Sequence, residues 1–301
     1  MRLALVINHS AGTFRRLALE PTVAAITDAL RAGGHQVELV VCGRRDLAGT
    51  LSAMAQRTDI DAVIAGGGDG TILTAILAGL GDTKPLGILP LGTLNLLARD
   101  LELPLDPIEA AVSLAKGHSA SIDLAEVNGL PFAIWASLGM HPWVVHRRDK
   151  LQRGGLKKWP AFALAALRAF RRYPLVRVTL SVGGELITVT TPLLVISNNA
   201  WPEQTMPLKR EALDRGELVV HVAKVNSRLG LLWLAVNALF GVWRIGRLLD
   251  TYKADEVRVT SRKRRMMVSL DGEVTVLRSP LVFRLRPKAL TVLMPRSEPE
   301  N

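Results

Sequence analysis

The sequence predicts two domains of different class. An α/β domain with a doubly wound parallel sheet is expected over residues 1–121, and a β-sandwich-like domain over residues 122–301. Three observations predict this. Short apolar runs alternate with helix-period segments as far as Lys116. From Ser121 the period drops to two, and Asn-Gly and Gly-Gly pairs punctuate the runs. A chain of 301 residues, 49% hydrophobic and 22% charged, is long enough for two globular cores.

Leu3 to Asn8 reads as the first strand, an apolar run too short for a signal peptide. A polar loop, Asn8 to Thr13, follows it. Helix-period sequence runs from about Leu17 to Ala32 and stops at Gly33-Gly34. Gln36 to Cys42 is the next strand, and Asp46 to Arg57 the next helix. Ala62 to Ala65 is a short buried strand running into Gly66, Gly67, Gly68, Asp69, Gly70 and Thr71, and Ile72 to Leu77 opens a helix.

A strand that ends in a glycine loop opening a helix suits an anion. Glycine allows close backbone approach, and the first helical N–H groups lack partners and carry the positive end of the dipole. The loop matches neither the P-loop nor the Gly-x-Gly-x-x-Gly pattern. Asp69 would repel phosphate unless a cation intervenes or its oxygens accept backbone N–H groups. It therefore points to a Mg²⁺-bound nucleotide or to a self-capping loop, and a plain strand–helix turn with a capping aspartate is the alternative. A second apolar run, Leu86 to Pro90, ends in Gly92-Thr93-Leu94-Asn95. Thr93 and Asn95 thus sit at another strand end, and neighbouring strand ends form the ligand crevice of an open α/β sheet. A helix from Asp106 to Lys116, started by Asp106-Pro107, completes the domain.

The second domain reads as hairpins: Ile122 to Val127 with Phe132 to Ala136, and Val176 to Val182 with Glu185 to Thr191. Leu193 to Ser197, Leu218 to Val225, Val257 to Thr260, Met266 to Leu270, Glu273 to Leu277, Leu281 to Leu285 and Leu290 to Leu293 add strands. Asp271-Gly272, read from its neighbours alone, is a type I′ turn, and Asp214-Arg215-Gly216 a turn before a strand. Residues 147–172 read as one basic helical stretch with Trp159, Phe162, Leu164 and Leu167 interleaved, suited to an anionic bilayer or to packing as an ordinary amphipathic helix. Leu231 to Trp243 is more apolar and too short to span a bilayer.

The formal charge of +11 favours anionic partners. There is no zinc spacing and no recognisable nucleic-acid motif, so no nucleic-acid partner is expected. Cys42 is the single cysteine, which excludes an internal disulfide and fits a reducing compartment.

Gly67-Gly68-Asp69-Gly70-Thr71 followed by Pro90-Leu91-Gly92-Thr93-Leu94-Asn95-Leu96-Leu97-Ala98-Arg99 resembles the diacylglycerol kinase catalytic-domain family, which includes bacterial soluble lipid kinases and sphingosine kinases. NAD kinases share the first motif; the ordered pair is the more specific signal. The resemblance extends over nearly the whole chain and implies the same two-domain layout, with the active site in the interdomain cleft. It implies ATP and Mg²⁺ as cofactors, with Gly66 to Thr71 and Thr93 on the phosphates and Asn95 lining the same pocket. It implies that Asp271, in Leu270-Asp271-Gly272-Glu273, is the general base toward a lipid alcohol such as diacylglycerol or a sphingoid base. Asp214 is the implied Mg²⁺ ligand, although Arg215 stands where the family typically has aspartate. Asn198-Asn199 matches a pair placed near the substrate. His9 replaces an expected proline, and Ala11 is an extra residue in that loop. A cytoplasmic enzyme of lipid metabolism, peripherally bound to an anionic membrane surface, is the implied setting, with a homodimer an open option. An NAD kinase-like enzyme and a non-catalytic nucleotide- or membrane-binding module are the alternatives.

Overall fold

The computed structural model describes residues 1–172, 174–201, 209–210, 212–225, 227, 230 and 249–296, with the backbone alone at 158 and 159. The apolar stretch Leu231 to Trp243 lies outside the described residues. The chain forms two compact units. One comprises Met1–Leu124 together with the segment from Pro287, and the other Ala125–Arg286.

In the first unit, strands β1 (Arg2–Asn8), β2 (Gln36–Cys42), β3 (Ala62–Gly67) and β4 (Leu86–Pro90) form a parallel sheet in the order β2-β1-β3-β4. Helices α1 (Leu19–Ala32), α2 (Leu47–Gln56), α3 (Asp69–Leu77), α4 (Leu96–Asp100) and α5 (Pro107–Ala115) connect them. All of β3 and β4 is buried, as parallel strands covered by helices should be. The side chain of Asp106 caps α5 by accepting from the N–H groups of Ile108 and Glu109 at 2.9 and 3.1 Å, with Pro107 at the first helical position.

In the second unit, strands β5 (His118–Val127), which begins in the first, and β6 (Leu130–Phe132) pair through an Asn128-Gly129 turn with φ of 49° and 82°. Strands β7 (Trp135–Gly139), β10 (Leu193–Asn198), β11 (Leu218–Ala223), β12 (Leu249–Ala254), β14 (Arg265–Leu270) and β15 (Glu273–Arg278) build an antiparallel sheet ordered β12-β11-β10-β7-β14-β15. Strands β8 (Val176–Val182), β9 (Glu185–Thr191) and β13 (Glu256–Thr260) form a second antiparallel run with the start of β16 (Leu281–Met294). The architecture is an α/β parallel-sheet domain followed by a β-sandwich-like one.

Two expectations change. The two short strands expected at Leu281 to Leu285 and Leu290 to Leu293 are a single strand, β16, and its last part belongs to the first unit, where Val292 pairs in parallel with Leu86 of β4. The second domain therefore does not run to the C-terminus. The gap in the apolar pattern is the passage between units: Lys288 takes a φ of 52°, and its N–H donates to the Asp123 carboxylate at 2.9 Å. The basic stretch 147–172 is two helices, α6 (Met140–Arg153) and α7 (Lys158–Arg172). Gly154 ends the first, and Gly155 turns away with a φ of 95°. Ala161, Ala165 and Ala169 form a fully buried stripe on α7, with Val144 of α6 packed in the same cluster.

Candidate active site

Three loops meet at the C-terminal ends of β1, β3 and β4. The Leu91 N–H donates to the Gly67 carbonyl at 2.9 Å, and the Thr13 N–H to the Leu91 carbonyl at 3.0 Å. The Asn8 amide donates to the Thr71 hydroxyl at 3.1 Å. Glycine is required where the loops touch: a Cβ on Gly92 would lie 2.4 Å from the Gly68 Cα, and one on Gly67 would lie 2.2 Å from the Thr71 hydroxyl. Residues 66, 67 and 71 are buried, so Gly66, Gly67 and Thr71 form the support of the loop. Gly68, Asp69 and Gly70 lie at its surface, where the first turn of α3 presents its N–H groups, and Thr93 is exposed beside them.

Asp69 makes the contacts of a self-capping loop. Its carboxylate accepts from the Leu96 N–H at 2.7 Å and the Asn95 N–H at 3.2 Å, at the start of α4. Asn95 sits in the left-handed region at φ 50°, and its side chain brackets Gly92, accepting from that N–H at 2.8 Å and donating to that carbonyl at 3.2 Å. Asp69 thus ties the first glycine loop to the second. A cradle closed this way, with helix N–H groups outward, fits a phosphate chain.

In the second unit, Asp271 and Gly272 take φ of 45° and 88°, the type I′ turn expected between β14 and β15. The Asp271 side chain turns inward. Oδ1 accepts from the N–H groups of Ile134 and Trp135 at 2.9 and 3.0 Å, and Oδ2 from that of Ala133 at 2.7 Å. A carboxylate offers about four lone-pair positions, so Oδ2 retains acceptor capacity. Burial pushes the Asp271 carboxyl up to about 6, against the lowering by these N–H groups and by Arg210.

Arg210 is the residue that sequence reasoning missed. It is buried, and its guanidinium donates to the carbonyls of Ala133 and Asn198 at 2.7 and 2.8 Å. The Asn198 amide donates to the same Ala133 carbonyl at 2.9 Å. Asp271, Arg210 and Asn198 therefore hold one short segment, Ala133 to Trp135, from three sides. Nothing local marks Arg210: it follows Lys209 and reads as one more surface cation.

Asp214 is the metal ligand that the resemblance implies. It is exposed on the turn before β11, and Arg215 places a positive charge next to it. The nearby Glu217 carboxylate pairs with the Lys253 ammonium at 3.0 Å. Among the described residues, no three His, Cys, Asp or Glu side chains gather. Among those residues, side chains alone therefore do not build the metal site expected at Asp214. Among the described residues, no helix is long and apolar enough to cross a membrane.

The first unit thus presents a glycine cradle on a parallel sheet, and the second an inward aspartate at a hairpin tip. The family model for the diacylglycerol kinase catalytic domain matches residues 2–127, and that for the YegS C-terminal NAD kinase beta sandwich-like domain matches residues 137–294; the chain belongs to this family. An uncharacterized Synechocystis protein is 25% identical over 77% of this chain and 54% of its own length. A Yersinia pestis protein named "Probable lipid kinase YegS-like" is 49% identical over 27% of this chain and 28% of its own. The chain thus spans about half, or less, of the curated relatives it matches. A solved structure described as a diacylglycerol kinase from Bacillus anthracis overlays with a TM-score of 0.71 at 19% identity, covering 97% of this chain and 96% of that one. A second from the same organism overlays at 0.77 with 22% identity, covering 97% and 95%. At such identities these overlays establish the fold alone.

Proposed function

We propose that the chain is an ATP-dependent kinase that transfers the γ-phosphoryl group to the hydroxyl of a membrane lipid. The carrying observation is the cradle in which Asp69 pins two glycine loops together and leaves the first turn of α3 open to an anion. The N–H groups at Gly68 and Gly70, with the Thr93 hydroxyl, bind the nucleotide phosphates, and Asn95 holds the second loop in register. Mg²⁺ bound with the nucleotide would offset phosphate charge during transfer. Asp271 accepts the proton of the lipid hydroxyl: its raised pKa makes it a better base than a solvated aspartate and leaves it ionised at neutral pH. Its three N–H partners hold the carboxylate in one orientation.

The acceptor stays in the bilayer, so the enzyme must dock there. The second unit offers Phe162, Leu167 and Leu156, exposed by 43%, 48% and 39% among the Lys and Arg residues of α6 and α7. We infer reversible peripheral binding to anionic lipid. Sedimentation with phosphatidylglycerol vesicles should fall steeply with added salt and be absent with phosphatidylcholine alone; equal binding to both would refute this docking mode.

The experiment for the reaction is a parallel assay with radiolabelled ATP, offering a lipid extract and NAD side by side. Label in the organic phase supports the lipid-kinase reading, and label only in the aqueous product supports an NAD kinase-like enzyme. Nucleotide binding without product from either acceptor supports a non-catalytic module. Asp271→Ala should abolish transfer while leaving nucleotide affinity within about twofold, because the cradle is built without it.

A further inference from the structure

The Asp271-Gly272 turn closes one end of the β14–β15 hairpin. The other end carries an arginine on each strand, and the register sets Arg265 directly opposite Arg278. Opposed residues of antiparallel strands share a face, with Cα atoms about 4.5–5.5 Å apart, and like charges so placed repel. Arg262, Lys263 and Arg264 lead into Arg265 on the loop from β13. All five side chains are exposed, and among the described residues none of them makes an ion pair or a hydrogen bond. The acid that opens β13, Glu256, is already paired with Arg284 at 2.8 Å.

These cations stand on a fixed frame. The Ser261 N–H donates to the Ser279 hydroxyl oxygen at 3.0 Å, and the Lys263 N–H to the Ser261 hydroxyl oxygen at 3.2 Å. The Ser279 N–H donates to the Arg264 carbonyl at 3.1 Å. From the β5–β6 turn, the Asn128 amide donates to the carbonyls of Arg278 and Pro280, both at 3.2 Å, and accepts from the Val282 N–H at 2.8 Å. Three loops are thus bonded together beneath the charge. A charge run that serves only solubility gains nothing from two arginines held face to face. An anion between them replaces the repulsion with charge-assisted hydrogen bonds to both.

The side chains select the kind of anion. Four of the five are arginine, whose planar fork binds phosphate through paired hydrogen bonds. Residues 261–265 and 278–280 include no aromatic, Leu, Ile, Val or Met side chain, so nothing there enters a bilayer or stacks on a base. Arg265 lies five residues along β14 from Leu270, about 17 Å at about 3.4 Å each, which separates the platform from Asp271. We propose that this platform is a binding site for a soluble oligophosphate. Arg265 and Arg278 share one phosphate group, and Arg262, Lys263 and Arg264 take those joined to it. The occupant relieves the opposed charges and so stabilises the hairpin whose tip carries Asp271. The glycine cradle is on the other unit, and the inference stands apart from the lipid-kinase reading.

The test is calorimetric titration of the full chain with inorganic tripolyphosphate at about 0.15 M salt, where attraction beyond about 8 Å is screened. Arg265→Gln combined with Arg278→Gln should weaken one binding event about tenfold or more. Lys116→Gln combined with Arg177→Gln removes as much exposed charge elsewhere and should leave it unchanged. Equal weakening by the two double variants would mean general attraction to a basic protein and overturns the proposal. Wild-type binding in the Arg265/Arg278 variant also overturns it, and assigns the ligand to the glycine cradle. So does loss of binding to phosphatidylglycerol vesicles in that variant when the wild type takes no tripolyphosphate, since the arginines would then be a membrane contact. Without ligand, Arg265→Gln should raise the melting temperature by removing one of two opposed charges; a fall would give Arg265 a structural partner and sink the idea. Tripolyphosphate should raise the melting temperature of the wild type more than that of the double variant. None of these readouts requires phosphoryl transfer, so a failed kinase assay leaves them standing.

Discussion

Asp271 has a structural role and a proposed catalytic one, which a short motif cannot separate. Its carboxylate gathers the N–H groups of Ala133, Ile134 and Trp135, which is structural work, and burial raises its pKa to about 6, which suits a base. The acid limb of kcat/KM should therefore fall near pH 6, and a limb near the ordinary value of 3.8 would remove Asp271 as the group whose ionisation controls the rate. The turn at Asp271-Gly272 was legible from the residues because a type I′ turn demands two positive φ values. Its inward carboxylate was not, since the three donors come from residues more than a hundred positions earlier. Arg210 escaped notice for the same reason: burial of an arginine is decided by distant carbonyls. At Asp69 the contacts to the Asn95 and Leu96 N–H groups were not legible, because those donors lie on the next loop, 26 and 27 positions on.

At the scale of elements, the parallel strands and their helices were readable because each is a local pattern with a local stop. Gln36 to Cys42 and the Asp106 cap match their expected positions. The basic stretch was misread as one helix because its charge pattern continues across Gly154-Gly155, whereas the backbone responds to the glycines. The two glycine loops depend on mutual contact. Gly92→Ala drives a methyl to 2.4 Å from the Gly68 Cα and 2.6 Å from Asn95 Oδ1. It should cost about 1–3 kcal/mol of stability and weaken nucleotide binding about tenfold or more. Urea unfolding with a fluorescent-nucleotide titration checks both, and a wild-type profile would mean that the loops are not held together.

For the molecule as a whole, buried imidazoles set the response to acid. Burial, with Arg148 nearby, holds His141 down to about 4, and burial alone does the same for His221, against an ordinary value of 6.5. Between those values the unfolded chain binds more protons, so the contribution of both histidines is intact above about pH 6.5 and is lost as pH falls toward 4. Asp271 opposes them. Its raised pKa penalises the folded state above about pH 6, and acid relieves that penalty. Two imidazoles against one carboxyl leave a net loss, so the melting temperature should fall from pH 7 to pH 5. His221→Phe should flatten the slope; an unchanged slope would place the acid sensitivity elsewhere.

The path of β16 has a consequence for how the molecule comes into being. Its last part, around Val292, joins the parallel sheet of the first unit, whose other strands all lie before residue 91. Until those residues are made, the α/β unit lacks one strand and the side of β4 is uncovered. A product cut short at Arg286 would therefore lose that strand from the α/β unit rather than from the unit that the cut adjoins.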